Sequence, residues 1–425
     1  MKKFKTMMMV CLTLLVMVAV AGLTKTEAKA AEVQKFNLVQ TDHAESGCVC
    51  IKWNPLNNVQ GDQYAELHYR KWGSSEKETI YQKGRVKNGD EVQIGKPELD
   101  WELGSSYEVW LDIYNDDAEY QNKVAESNHL EVVTCPESNV TGAVQTAATA
   151  TSATVKWNAV AGANCYEVHY LGDGVKPEYV TGTSITLKNL KKNQSYGVKI
   201  YPCRKSSSGY HADLGQYASL FVVVTPSGKK ISTIEVAKKS VSVSLKDSIK
   251  NNIVVGGGNQ YEFYKYNGKK PVKTITTEKN YVTYKNKDIA KNQMFKVRFR
   301  SYNTAQNGKK YYSKWSSFKY FSTSEVTKSV KVKGKSIQVK WNKIKGASGY
   351  KVYASTKYGK GYKLVATVKK GSTTSTTFKK YNKKALQKGK TYYVYVKPYY
   401  KNGKELTETS NSYPYAYSKS VKYKK

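Results

Sequence analysis

Four stretches of this chain repeat one alternating pattern. Leu386, Gly389, Tyr392, Val394 and Val396 place a turn glycine ahead of apolar residues at every second position, the period of a strand with one face inward. The spacing recurs at Trp101, Gly104, Tyr107, Val109 and Leu111, at Leu190, Asn193, Tyr196, Val198 and Ile200, and at Ile289, Asn292, Phe295, Val297 and Phe299. Upstream of each lies a second alternating pair: Ala65 and Leu67, Tyr166 and Val168, Tyr261 and Phe263, or Tyr350 and Val352. In three repeats a further strand comes before that, with a Trp two positions after an apolar residue: Ile51/Trp53, Val155/Trp157 and Val339/Trp341. A unit recurring every hundred residues or so, at roughly that spacing, predicts an array of small all-β domains. Boundaries near Pro136, Pro226 and Thr323 give repeats at 31–136, 137–226, 227–323 and 324–425, with short linkers. Asn88-Gly89, Asn267-Gly268, Asn307-Gly308 and Asn402-Gly403 supply positive-φ positions for tight hairpins.

These residues resemble the fibronectin type III family. Trp53, Trp157 and Trp341 match its second-strand Trp, Tyr166, Tyr261 and Tyr350 its third-strand Tyr, and Leu386, Gly389 and Tyr392 the corner before its sixth strand. The resemblance covers nearly the whole chain after residue 30 and implies an all-β protein of four tandem immunoglobulin-like (fibronectin type III) β-sandwiches, of the kind found in secreted bacterial surface proteins. The third repeat departs most. Leu245 stands in the Trp position, and Phe295 has no hydroxyl for the corner bond. Tyr312 to Ser316 resembles the family's approach to its last strand.

Compartment is read from the first thirty residues. Lys2, Lys3 and Lys5 precede an apolar run from Met7 to Leu23, and Ala28 and Ala30 put small residues at the positions a signal peptidase needs. Residues 1–30 are therefore expected to be a cleaved signal peptide, with an uncleaved anchor as the rival reading. Cys11 opens the apolar run, whereas a lipoprotein cysteine follows it, so a lipid anchor is not expected. The expected location is extracellular, secreted or at the cell surface.

Charge changes the picture along the chain. The four repeats carry net charges of −9, +3, +16 and +23. Strand alternation sets which of these side chains are displayed, since a sandwich leaves one face of each sheet in solvent. On the sixth strands the outward sets read Glu108, Trp110, Asp112 and Tyr114, then Lys199 and Tyr201, then Lys296, Arg298, Arg300 and Tyr302, then Tyr393, Tyr395, Lys397 and Tyr399. The neighbouring strand adds Lys351 and Tyr353 in the fourth repeat. Outward lysines such as Lys331 and Lys333 also keep strand edges from pairing with other chains, but Glu serves that purpose equally, and the fourth repeat holds only Glu325, Glu405 and Glu408. Lys296, Arg298, Arg300, Lys351, Tyr353, Tyr393, Tyr395, Lys397 and Tyr399 are thus the candidate binding residues. Cations beside aromatic rings suit anionic or glycan polymers.

Little in the sequence supports catalysis. The histidines are His43, His68, His129, His169 and His211, all in the first two repeats. His43, Cys48 and Cys50 lack the second ligand pair of a metal site. Asp112, Asp116, Asp117 and Glu119 lack the order of a calcium loop, and Gly256 to Gly258 is not followed by the Lys and helix of a phosphate loop. No catalytic residue, cofactor or metal is expected. Five cysteines follow the leader; Cys165 with Cys203 is the preferred disulfide, Cys48 or Cys50 with Cys135 a further candidate, and one thiol is left over.

The chain is read as an exported, non-enzymatic adhesion or scaffold protein whose basic C-terminal half associates with an anionic cell-wall polymer or polysaccharide, extracellular nucleic acid being another anion that fits. The acidic first repeat is left for a protein partner. The alternatives are a glycan-binding accessory module using exposed Tyr faces, a passive spacer, and a secreted hydrolase drawing on carboxylates of the first repeat.

Overall fold

The computed structural model describes residues 32–425 apart from 42–47, 58, 60–61, 96–100, 116–118, 173–174, 214, 238, 248–255, 323–324, 403–404, 412 and 425. The expected signal peptide, His43, Asp116 and Asp117 lie outside the described residues.

Each repeat folds as a three-stranded sheet facing a larger one. In the fourth, Thr327–Lys333, Ser336–Trp341 and Ser375–Phe378 form the small sheet, while Lys363–Val368, Gly349–Ser355 and Thr391–Asn402 lie side by side in the large one. Thr391–Asn402 also pairs with Glu405–Glu408 and Lys419–Lys422, two pieces of one interrupted last strand. The third repeats this with Lys229–Val236, Ser240–Asp247 and Tyr281–Lys285 against Lys273–Thr277, Gly258–Lys265, Met294–Thr304, Lys310–Tyr312 and Lys319–Ser322. The second has Val144–Ala148, Ala153–Lys156 and Ser184–Leu187, then Glu178–Val180, Cys165–His169, Ser195–Lys205, His211–Ala212 and Ala218–Val223. In the first, Val39–Thr41, Cys48–Lys52 and Glu91–Gly95 face a sheet of Thr79–Lys87, Asp62–Lys71, Ser106–Tyr114, Lys123–Ser127 and Leu130–Val133, with Gln34–Phe36 added parallel at one edge.

The alternation dictates the cores. Trp341, Tyr350, Val352, Tyr392 and Val394 are all buried in the fourth sandwich, and Trp53, Leu67, Val109 and Leu111 in the first. Each such side chain removed from water contributes about 1.5–3 kcal/mol before ordering costs. Leu245 takes the Trp position in the third core, beside Phe263, Tyr284 and Phe295. The corner hydroxyls of Tyr107, Tyr196 and Tyr392 accept the backbone N–H of Glu102, Lys191 and Gln387 at 2.9, 2.5 and 3.0 Å. Phe295 stacks on Phe321 instead, with ring centroids 5.5 Å apart. Of the expected hairpin glycines, Gly89 and Gly308 take φ of 81° and 78°, Gly268 is not in the left-handed region, and Gly403 lies outside the described residues.

Contacts divide the chain into two compact units: one holds the described residues up to Asn139 with Ala159–Glu167 and Tyr201–Tyr217, the other Val140–Asn158, Val168–Ile200 and Ala218 onward. In the first unit, Gly104 and Gly162 touch backbone to backbone; a Cβ on Gly104 would lie 2.4 Å from the Gly162 Cα. In the second unit the joints are bonded just as closely. Tyr311 donates to the Gln145 carbonyl at 2.8 Å, Asn303 to that of Val224 at 2.7 Å, and the Met294 N–H to that of Lys345 at 2.9 Å.

Candidate binding surfaces of the third and fourth sandwiches

In the third sandwich, Lys296, Arg298 and Arg300 project from alternate positions of Met294–Thr304 onto the outer face of the large sheet. They are half-buried there, because residues 313–318 fold back over them. Ser313 and Ser316 hold that segment in place. Their N–H groups donate to Ser301 and Phe299 carbonyls at 2.8 Å, and their hydroxyls accept the N–H groups of those residues at 3.0 and 3.1 Å, replacing ladder bonds the interrupted strand lacks. The segment thereby lays Trp315 and Phe318 between the cations. Lys296 Nζ is 4.6 Å from the Phe318 ring centre, the Arg298 guanidinium 4.4 Å from Trp315, and that of Arg300 4.6 Å from Trp315 and 3.8 Å from Tyr312. Arg298 also pairs with Glu262 at 2.7 Å and donates to Tyr264 at 2.9 Å; Arg300 donates to Gln260 at 2.9 Å. Burial and then the Arg298 charge push Lys296 below its ordinary pKa. The three cations are thus spent on an internal ladder.

The fourth sandwich places Lys351, Tyr353, Tyr393, Tyr395 and Lys397 half-buried on the equivalent face, whereas Tyr399 on the same face is only 3% exposed. Strand alternation turns Tyr399 outward, as expected, yet its ring lies down over Gly349, where no side chain competes; a Cβ there would lie 2.3 Å from its hydroxyl. Tyr302 lies over Gly258 in the third sandwich in the same way. Glu408 gathers the rest: Lys351 donates to it at 2.6 Å, Tyr353 at 3.0 Å, and Lys397 stands 3.6 Å away. Burial works to raise the Glu408 pKa, but the bonds from Lys351 and Tyr353 and the Lys397 charge outweigh it and hold the carboxyl below its usual value. Tyr395 stacks on Tyr353, centroids 5.1 Å apart, and leans on Tyr362 at 4.9 Å; burial, then the Glu408 charge, pushes its hydroxyl up to about 12. Tyr358 and Tyr413 extend the cluster with rings 57% and 47% exposed.

Every other lysine of the fourth sandwich among the described residues is exposed, and none of these forms an ion pair. Lys331, Lys333 and Lys340 stand on the outer face of the small sheet, among Ser329, Gln338, Ser375 and Thr377. A second group crowds residues 379–390 and 422–424. Alternation points to the large sheet, which tyrosines mark; the exposed lysines show in the sequence instead as a run with no acid interspersed.

The acidic face of the first sandwich is also folded in on itself. Glu66, His68, Asp112 and Tyr114 are each less than 9% exposed. Trp110 is stacked between His68 and His129, centroids 5.1 and 4.4 Å away, and Lys123 pairs with Asp112 at 3.2 Å. Burial, the largest influence, lowers the His68 pKa against the pull of Asp112 and Glu66. This face is not the displayed acidic surface that alternation predicts.

Cys165 and Cys203 are joined by a disulfide with Cα atoms 5.3 Å apart. No bridge joins Cys48 to Cys135: Cys135 is a buried free thiol packed with Val133 and Ala212. Val39–Thr41 lies between the two, its Gln40 bonded to Val133 on one side while Thr41 pairs with Cys50 on the other. Among the described residues no group of three or more His, Cys, Asp or Glu side chains is arranged to hold a metal ion. A cleft of about 530 Å³ between Thr149, Thr225–Lys229 and Tyr312–Ser316 is lined by Phe299, Pro226 and alanines together with hydroxyls and two lysines, without a carboxylate, histidine or thiol. No helix among the described residues is long and apolar enough to cross a membrane.

The order of strands in each sandwich, three against a larger sheet with the interrupted strand last, decides the architecture. The fold is a fibronectin type III-like tandem. Among solved structures, the chain is similar to the crystal structure of chicken CNTN1 FN1–FN3 domains at 14% identity, over 68% of this chain and 98% of that one, with a TM-score of 0.28. No protein-family model and no curated protein sequence matches the chain.

Proposed function

We propose that this is an exported, non-enzymatic scaffold protein whose C-terminal half holds an anionic surface polymer. One observation carries the reading. Among the described lysines of the fourth sandwich only Lys351 and Lys397 are covered, and these two share Glu408, while the rest face solvent without a counter-charge. Uncompensated charge of one sign destabilises a fold by self-repulsion, and an external polyanion relieves it while releasing its own counterions. The leader-like pattern of residues 1–30 supports a polymer outside the cell.

The test is retention of the full chain on an immobilised anionic wall polymer across a salt series. Binding at low ionic strength that falls steeply and linearly on a log–log plot supports the reading; no retention at low salt sinks it.

A second reading has its own observation. Tyr358 and Tyr413 are exposed and meet Tyr393 and Tyr415 edge to face, a cluster whose single open rings are suited to stacking on sugar faces. Changing Tyr358 and Tyr413 to Ala removes any retention that survives high salt, if that cluster binds the polymer.

A further inference from the structure

We propose that one end of the fourth sandwich, built from residues 379–390 and 422–424, is the docking site, and that its ligand is a cell-surface polymer of phosphodiester units without nucleobases. This rests on the reading above and sharpens it.

Backbone pairing brings the site together from two distant segments. Lys380–Tyr381 and Lys384–Ala385 form a small hairpin, and the Leu386 N–H donates to the Lys379 carbonyl. Gly389 donates to the Tyr423 carbonyl at 2.7 Å, Tyr423 to that of Lys390 at 2.8 Å, and Thr391 pairs with Lys422. Lys379, Lys380, Lys383, Lys384, Lys390 and Lys422 are all exposed at this end, and neither 379–390 nor 419–425 contains an acidic residue.

The turn itself shows that charge is kept at a conformational cost. Asn382 and Lys383 adopt φ of 48° and 64°, the left-handed region that glycine enters freely and a lysine does not. An Asn-Gly turn would close this hairpin with less strain. Lysine stands there instead, at the apex of the cluster.

The side-chain types select the ligand. No arginine occurs after Arg300, so nothing at this end offers the planar fork that clamps one carboxylate or phosphate in two parallel bonds; compact ammonium groups act as point charges, which suit single charges spaced along a flexible chain such as a phosphodiester polymer. Nucleic acid binding to single strands relies on open rings for base stacking. The rings here are occupied. Tyr381 donates to the Gly361 carbonyl at 3.0 Å and packs edge-on against Tyr392, and Tyr423 is 5% exposed.

The experiment measures binding of the full chain to poly(glycerol phosphate), polygalacturonate and single-stranded poly-dT over a salt series. One variant combines Lys380→Gln, Lys383→Gly, Lys384→Gln and Lys390→Gln; a matched one carries Lys331→Gln, Lys333→Gln, Lys340→Gln and Lys343→Gln on the small sheet and adjacent to it. The first should lose about tenfold or more in affinity for poly(glycerol phosphate), its log–log salt slope falling by about 3 units, while the second loses about threefold or less. Equal losses overturn the site and leave the general reading intact. Failure of the unaltered chain to bind any of the three polymers overturns that reading itself. Tighter binding of poly-dT, or equal binding of polygalacturonate, overturns the ligand class. Lys383→Gly alone guards against misfolding: it should melt at or above the unaltered temperature yet bind about twofold more weakly, and unchanged affinity counts against the site.

Discussion

The large sheets of the third and fourth sandwiches share one backbone plan but seat their cations differently. In the third, Arg298 and Arg300 are interleaved with Trp315 and Phe318, rings delivered by a loop that serine hydroxyls pin to the sheet, and with Tyr312 of the strand before it, while Arg298 also keeps Glu262 as a counter-charge. In the fourth, one carboxylate, Glu408, serves Lys351, Lys397 and Tyr353, and tyrosines fill the space around it. Planar guanidinium suits stacking between rings, whereas the ammonium groups of Lys351 and Lys397 are held by a point counter-charge. Each face is closed by its own contacts, so the exposed positive charge of the fourth sandwich lies elsewhere.

The largest effect tests what the two faces have in common. Tyr302 and Tyr399 both rest over a glycine, and at Gly349 an added Cβ would meet the Val368 carbonyl oxygen at 2.3 Å, backbone that cannot move cheaply. Gly349→Ala should cost about 3 kcal/mol or more, and Gly258→Ala, where the Thr277 oxygen is 2.8 Å away, about 2 kcal/mol, read by hydrogen exchange resolved to each sandwich. If Gly349→Ala is silent, the tyrosine seat is not a shared support.

Trp315→Ala comes next. It removes the one ring that touches both arginines, and about 2–3 kcal/mol should go from the third sandwich while the fourth is untouched. Glu408→Gln is the counterpart and should cost about 2 kcal/mol at neutral pH. Its pH dependence has a definite sign. A carboxyl held below its unfolded pKa adds stability that is complete above the unfolded value and lost as pH falls through the folded one, so the unaltered protein should weaken in acid and the variant should lose that step. The variant also frees Lys351 and Lys397, so retention on an anionic polymer should increase.

The fold was legible because alternation at Tyr107, Val109, Leu111 and their three equivalents is imposed by burial, which every repeat must satisfy. The site was less so. Alternation correctly put Lys296, Arg298 and Arg300 on the outer face, but it is blind to a loop that returns over that face, and only the Ser313 and Ser316 bonds make Trp315 do so. Tyr399 was misplaced for a similar reason, since nothing at position 399 announces the empty seat at Gly349. The lysine-rich end at 379–390 shows in the sequence as composition alone, because it contains no strand long enough to show alternation.

The smallest effect separates charge from shape on the third face. Arg300→Lys keeps the positive charge beside Tyr312 and Trp315 but removes the planar group that lies 3.8 Å from one ring and 4.6 Å from the other, together with the bond to Gln260. A loss of about 1 kcal/mol is expected if stacking and the directed bond hold the ladder, and almost none if charge near a ring is sufficient. A neutral outcome would make the third and fourth faces equivalent in kind, each needing only a cation in place. A measurable loss would mean the third face specifies arginine, and would explain why the only two arginines of the C-terminal half sit where no polymer is expected to reach them.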